Sequence, residues 1–174
     1  MKEEKKLVRQ AKHGDVDAFA KLYETVYQDM YRYAFYILKN EEDAKDAVSD
    51  AVTDAFASIR SLRREEAFRS WIFRILTNKC NQVMRRYCRQ ESELTEQAAD
   101  SGAMEKSYAP DLAEAAAIRS MFFALPSETR KVIAMHVFGG YSSRESAQLL
   151  GMNENTFRSK ESRAMKLLAK QLTS

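Results

Sequence analysis

Turn-forming residues are scarce enough in this chain to decide its fold class. Two prolines and five glycines are spread over 174 residues, too few to punctuate a set of short strands. Between them, apolar residues recur at three- and four-residue intervals, the spacing of one helix face. The pattern predicts an all-α protein. Phe19, Leu22, Tyr23, Val26, Met30, Tyr33, Ala34 and Ile37 share a broad face over about 15–38. Asn40 is placed to cap a second helix running to about residue 59, with Ala44, Ala47, Val48, Ala51, Ala55 and Phe56 as its stripe. A loop over 60–66 precedes a third helix, about 67–89, carrying Phe68, Trp71, Ile72, Ile75 and Leu76. At that spacing Phe68 and Trp71 are core residues, while Phe73 is left as a candidate for stacking on a base.

Periodicity fails from Gln90 to Pro110, where Ser, Glu, Gln, Ala and Gly dominate. A structureless loop of that length inside one compact domain is uncommon. The chain is therefore expected to form two small helical domains, 1–90 and 112–174, joined by a flexible linker, 91–111. Charge follows the same division. Residues 1–90 carry 18 basic and 14 acidic side chains, residues 91–111 one and six, residues 112–174 nine and five. An acidic tether between two basic blocks stays off a phosphate backbone that the blocks could bind. Four further helices are predicted near 112–124, 127–138, 143–150 and 154–172.

Several function classes drop out. No apolar run approaches a membrane span, and the charged N-terminus is not followed by a signal-peptide core, so a cytoplasmic protein with no membrane insertion is expected. Cys80 and Cys88 lie about 12 Å apart along one helix, too far for a disulfide. His13 and His136 fall in separate segments, which argues against zinc. There is no nucleophile–base pair, glycine-rich phosphate loop or carboxylate cluster, so the chain is not read as an enzyme, and no cofactor or metal is implied.

Residues 141–163 carry the strongest local signal. Ser142 and Glu145 have the spacing of a capping box. Ala147 and Leu150 follow as an apolar face, and Gly151 supplies a left-handed stop. Asn153 then caps a second helix bearing Arg158, Ser159, Lys160, Ser162 and Arg163. A scaffold helix, a tight turn and a basic second helix are the parts of a DNA-binding helix-turn-helix.

With these residues in view, the chain resembles the extracytoplasmic-function (ECF) sigma factors of the sigma-70 family, from about Asp15 to Leu172. Residues 43–56 are similar to the acidic region 2 helix that docks on the β′ clamp helices of RNA polymerase, which assigns core binding to Asp43, Asp46, Ser49 and Asp50. Residues 67–78 look like the aromatic helix associated with −10 recognition, and the basic Arg85-Arg86 stands where the family often places such a pair. The resemblance assigns −10 contacts to Arg63, Arg64, Arg69, Asn78 and Lys79. Leu125-Pro126 resembles the start of region 4, and the helix-turn-helix matches the −35 reader, with Arg158, Ser159, Lys160, Ser162 and Arg163 facing DNA. Implied partners are bacterial core RNA polymerase (the β′ clamp helices and the β flap), promoter DNA and an anti-sigma factor. The implied function is an alternative sigma factor directing promoter-specific initiation and promoter melting.

The sequence also departs from the family pattern. Ser49-Asp50 replaces the usual Gln-Glu, Arg64 a common glycine, and Asp54 a frequent basic residue. Ser146 and Glu161 stand where apolar residues are usual, and Phe157 is bulkier than the usual valine. Two other functions fit parts of the pattern. A conventional helix-turn-helix regulator would bind duplex DNA alone, but needs neither the acidic helix nor the linker. A sigma mimic that sequesters an anti-sigma factor would have no use for Arg158, Lys160 and Arg163.

Overall fold

Asp15 and Asn40 set the starts of the two helices on which the first half is built. The computed structural model describes residues 2–94 and 120–172. Helix α1 spans Lys2–Lys12, α2 Val16–Leu38, α3 Glu41–Ser58 and α4 Phe68–Leu94. The Asp15 carboxylate accepts from the Ala18 amide at 3.0 Å, and the Asn40 side chain from the Asp43 amide at 3.0 Å. Each satisfies an amide the helix leaves unbonded. Between them Lys39 takes a left-handed conformation, φ 59°, and returns its amide to the Phe35 carbonyl. Glu41, Glu42 and Asp43 occupy the first turn of α3, where the helix dipole favours negative charge.

The predicted core is present. Leu22, Met30, Tyr33, Phe68, Ile72 and Leu76 are fully buried. The Tyr33 hydroxyl, which burial drives to a high pKa, lies 2.8 Å from Thr77 Oγ1. Phe73 corrects one expectation: it is fully buried, edge-on to Tyr33 at 5.6 Å, and has no free face for a base. Its position follows from spacing, since residues 68, 72, 73 and 76 fall on one helical face. Phe68 is core, as expected, while Trp71 is only half-buried. Helix α1 was not anticipated. It packs on α2 through Val8 and Ala11.

Two short 3-10 turns, Ile59–Ser61 and Glu65–Ala67, lead from α3 to α4. Helix α4 continues to Leu94, past the expected end near residue 89, because no proline or glycine intervenes to stop it. The rest of the segment read as a linker, and the first part of the helix expected at 112–124, lie outside the described residues. Residues 120–124 are helical.

In the second half, α5 spans Ser127–Ala134 and passes into a π turn, Met135–Gly139. Helices α6 (Ser143–Leu149) and α7 (Glu154–Leu172) follow. Arg130 is buried, and its guanidinium donates to the Phe123 and Leu125 carbonyls, closing the turn before Pro126. A Cβ on Gly139 would meet the Tyr141 ring at 2.6 Å, so only glycine fits there.

The two halves pack together. Tyr36 of α2 stacks on Phe138 at 5.6 Å and lies 4.6 Å from Phe122. Lys39 Nζ donates to the Phe123 carbonyl at 2.9 Å. Arg69 Nη2 bonds both Asp29, at 2.8 Å, and the Phe138 carbonyl, at 2.5 Å. Ala134, Met135 and Tyr141 join the core cluster of the first half.

Candidate functional site

The capping box predicted at Ser142 is complete, with the Ser142 amide donating to the Glu145 carboxylate at 3.0 Å and the Glu145 amide to Ser142 Oγ at 3.3 Å. Helix α6 ends in a Schellman pair: Met152 N to Ala147 O at 2.9 Å, and Gly151 N to Gln148 O at 3.2 Å. Gly151 sits at φ 64°. Asn153 Oδ1 then accepts from the Asn155 amide at 2.8 Å and starts α7.

Phe157, fully buried with Val132 and Ala147, seats α7 on the other two helices. Ala164 seats its next turns against Phe122, Leu125 and Ile133. With those positions inward, Arg158, Ser159, Ser162 and Arg163 come together on the exposed side. Arg158 reaches back to Glu154 at 2.8 Å, and Arg163 Nε donates to the Ser159 carbonyl at 3.2 Å. Lys160 is not with them. Its ammonium is bonded to Glu128 at the start of α5, which holds the Glu128 carboxyl below its ordinary range. Glu161 is also committed to protein, accepting from His136 Nδ1 at 2.6 Å and Ser143 Oγ at 3.1 Å. The acid that replaces an apolar residue thus ties α7 to the π turn and to α6. Ser146 has no such use. It is fully buried, and its hydroxyl has no partner among the described residues. An unpaired buried hydroxyl costs about 1–3 kcal/mol, so Ser146→Ala is expected to raise the urea midpoint of this half; an unchanged or lower midpoint would contradict that.

On α3, Asp46, Ser49 and Asp50 share an exposed ridge. Asp43 lies on the same face a turn earlier but is half-buried and engaged: its carboxylate accepts from Tyr87 of α4, and burial together with this bond pushes the Tyr87 hydroxyl pKa up. One flank of the ridge opens on a groove lined by Asp46, Asp50, Gln82, Arg85, Arg86 and Arg89. The other opens on Tyr23, Tyr27, Tyr31, Ser49 and Thr53.

The five residues assigned to −10 contact are dispersed. Arg63 and Arg64 are exposed on the 59–67 loop, and Arg64 is 3.0 Å from Glu66. Asn78 is exposed on α4. Lys79 is bonded to Asp54 of α3 at 2.6 Å, which raises its pKa. Arg69 faces the second half through Asp29 and Phe138, with its guanidinium 5.0 Å over the Phe73 ring.

A family model described as ECF sigma factor matches residues 1–173. The chain belongs to the ECF sigma factors. It is 30% identical over 148 residues to RNA polymerase sigma factor SigV of Bacillus subtilis, covering 84% of this chain and 86% of SigV. It is 31% identical over 162 residues to ECF RNA polymerase sigma factor SigM of Mycobacterium tuberculosis, covering 91% of this chain and 79% of SigM. The fold matches a sigma factor RpoE, solved in complex with the anti-sigma factor NepR from Bartonella quintana, with TM-score 0.72 and 23% identity over 91% of this chain and 98% of that one. CnrH, solved in complex with the cytosolic domain of CnrY, matches with TM-score 0.66 and 23% identity over 98% and 97%.

For an ECF sigma factor, a family of transcription initiation factors rather than catalysts, several exposed residues escaped the sequence reading. Arg74, Gln82 and Arg89 lie exposed on the same side of α4 as Asn78 and Arg85. Their three- and four-residue spacing was a usable signal. Asn155 is exposed one turn before Ser159 and two before Ser162, and its side chain has no partner among the described residues. Tyr27 and Phe56 are 44% and 40% exposed beside the α3 ridge. Nothing local distinguished them from core aromatics. Among the described residues, no helix is long and apolar enough to cross a membrane, and no group of His, Cys, Asp and Glu is placed to hold a metal.

Proposed function

We propose that this ECF sigma factor joins bacterial core RNA polymerase through the α3 ridge and reads a −35 duplex with the exposed face of α7. The 59–67 loop and the outer side of α4 hold the melted −10 strand. The observation that carries the reading is the α7 face itself: two arginines and two serines on a capped, buried-side-anchored second helix, which is what major-groove docking needs. Asp46, Ser49 and Asp50 supply the acidic surface for the β′ clamp helices, with Asp43 supporting the ridge through Tyr87. The β flap would meet the second half. Opening the promoter requires holding unstacked bases and their phosphates, and Arg63, Arg64, Arg74, Asn78 and Arg85 are exposed for that. Arg69 reaches DNA only after releasing Asp29 and the Phe138 carbonyl, and Lys79 only after releasing Asp54. The two domains, 1–90 and 112–174, would then separate on the intervening segment. An anti-sigma partner, by extension from the two solved complexes, and a cytoplasmic location complete the reading.

Run-off transcription with purified core polymerase and a genomic promoter pool tests it. Specific initiation supports a sigma factor; duplex binding without initiation would favour a conventional regulator, and neither would favour an anti-sigma decoy. Within the −35 reader, Arg158 near the start of α7 is placed for base edges. Arg158→Ala is expected to cost about 1–3 kcal/mol at the preferred element and to relax discrimination there. Lys160→Ala should weaken binding to all sequences by a smaller factor, because Glu128 already engages the ammonium. Equal loss on matched and scrambled elements for Arg158→Ala, measured by promoter competition at several salt concentrations, would remove its base-reading role.

A further inference from the structure

The loop between α3 and α4 is held by α1 at both of its shoulders. Lys12 Nζ donates to the Leu62 carbonyl at 2.9 Å, and Leu62 itself is buried. Three residues on, Arg9 Nε donates to Glu65 Oε1 at 2.7 Å, and Lys5 Nζ lies 3.7 Å from the Glu66 carboxylate. The side of α1 that makes these contacts is fixed in turn by Val8 and Ala11 in the core. Between the two pinned points Arg63 and Arg64 stand exposed, with Arg64 braced on Glu66. Glu65 and Glu66 engage Arg9, Arg64 and Lys5, and Arg60 and Arg63 stand exposed on the loop beside the braced Arg64.

We propose that α1 is a positioning helix for the melted strand: by fixing Leu62, Glu65 and Glu66 it presets the 59–67 loop in the shape that receives an unstacked −10 base. This rests on the −10 reading above and adds to it a segment that reading did not include. A single strand is flexible, so a binder that must also order its own loop pays twice in conformational freedom. Supporting contacts that lock a receiving loop in advance remove the loop's share of that cost and sharpen geometry.

The arrangement makes a prediction that separates positioning from charge. If Arg9 and Glu65 acted only through their charges, Arg9→Glu would weaken strand binding, and Glu65→Arg, which adds positive charge, would strengthen it. If they position the loop, both substitutions reduce selectivity, and the exchanged pair restores it. Both residues sit outside the core, Arg9 being 65% exposed, so the fold of α1–α4 is not at stake. Lys12→Met, which removes the donor to Leu62 by a different route, is the independent variant.

The experiment uses holoenzyme assembled with each full-length variant. The probe is a labelled single-stranded oligonucleotide carrying the −10 element mapped by run-off initiation, with a scrambled oligonucleotide as reference, and core-polymerase affinity is measured alongside. Arg9→Glu, Glu65→Arg and Lys12→Met should each lower the matched-to-scrambled ratio about tenfold, and the exchanged pair should return to within about threefold of the parent, with core affinity unchanged. Selectivity that rises in Glu65→Arg, or an exchanged pair no better than the worse single variant, overturns the positioning role. A parent holoenzyme that shows no preference for the matched strand overturns the −10 reading itself, and the proposal with it.

Discussion

Replacing Phe157 by alanine is expected to unfold α5–α7 while leaving α1–α4 intact. Phe157 is fully buried, packed with Val132 and Ala147 and flanked by Leu150 and Met152. The second half has little else in its own core beyond Phe122, Leu125, Ile133 and Ala164. Truncating a buried phenylalanine costs about 3–5 kcal/mol, against a total of about 5–15 kcal/mol for a whole domain. Alanine and valine are the small residues around the ring, so they cannot swing in to fill the space. The first half keeps its larger cluster, from Val8 to Val83, which the second half only borders through Ala134, Met135 and Tyr141. Hydrogen exchange should therefore show amides of α5–α7 losing protection while those of α2–α4 keep theirs. Holoenzyme made with the variant should still assemble but lose −35 discrimination. Protection of α7 equal to that of the parent would show that the bulky residue is not what holds this helix in place. Phe157→Val, the residue usual in the family, should lose less than alanine because part of the volume remains.

What could be read from the chain, and what could not, divides by range. Signals written within four or five residues were legible: Asn40, Ser142 with Glu145, Gly151 and Asn153 all perform the capping or stopping roles their spacing predicts. Apolar stripes placed the core of α2, α3 and α4. Helix α1 was missed because its apolar positions, Leu7, Val8 and Ala11, are embedded in a run of lysines and glutamates that reads as a charged tail. The π turn at 135–139 has no sequence signature at all. The functional assignments suffered where a long side chain could reach another element. Arg69, Lys79 and Lys160 look alike with Arg63, Arg158 and Arg163 in sequence, yet the first three find Asp29, Asp54 and Glu128. Such pairings depend on which helices become neighbours, which local pattern does not encode. Asp43 shows the same limit, since only the packing of α4 on α3 brings Tyr87 to it.

Reversing Asp50 should produce the largest loss of polymerase binding. Its carboxylate is exposed on α3 beside Asp46 and Ser49, and the α3 face behind it is anchored by Ala47, Val48 and Ala51 in the core. The ridge is therefore rigid, and a partner that matches it need not order it. Removing one member of a close interfacial charge pair costs about 2–5 kcal/mol, because the partner charge is left desolvated. Asp50→Arg adds repulsion to that loss, so core affinity should fall by at least the lower bound, about thirtyfold. The free protein should change little, since an exposed substitution shifts stability by about 0.5 kcal/mol or less. Arg85, Arg86 and Arg89 line the adjacent groove, so Asp50→Asn is the cleaner neutral variant and should show an intermediate loss. Glu3→Arg, an exposed reversal on α1, controls for net charge alone. The family departures supply the opposite arm: Asp50→Glu should retain binding, and Ser49→Gln, restoring an amide that can reach across the ridge, should improve it. Competition for core polymerase at two salt concentrations reads all five, and the parent's advantage over Asp50→Asn should narrow as salt screens the pair. If Asp50→Arg bound core as tightly as Glu3→Arg, the α3 ridge would not be the polymerase contact. The aromatic groove on its other flank, lined by Tyr23, Tyr27 and Tyr31, would then be the surface to probe next.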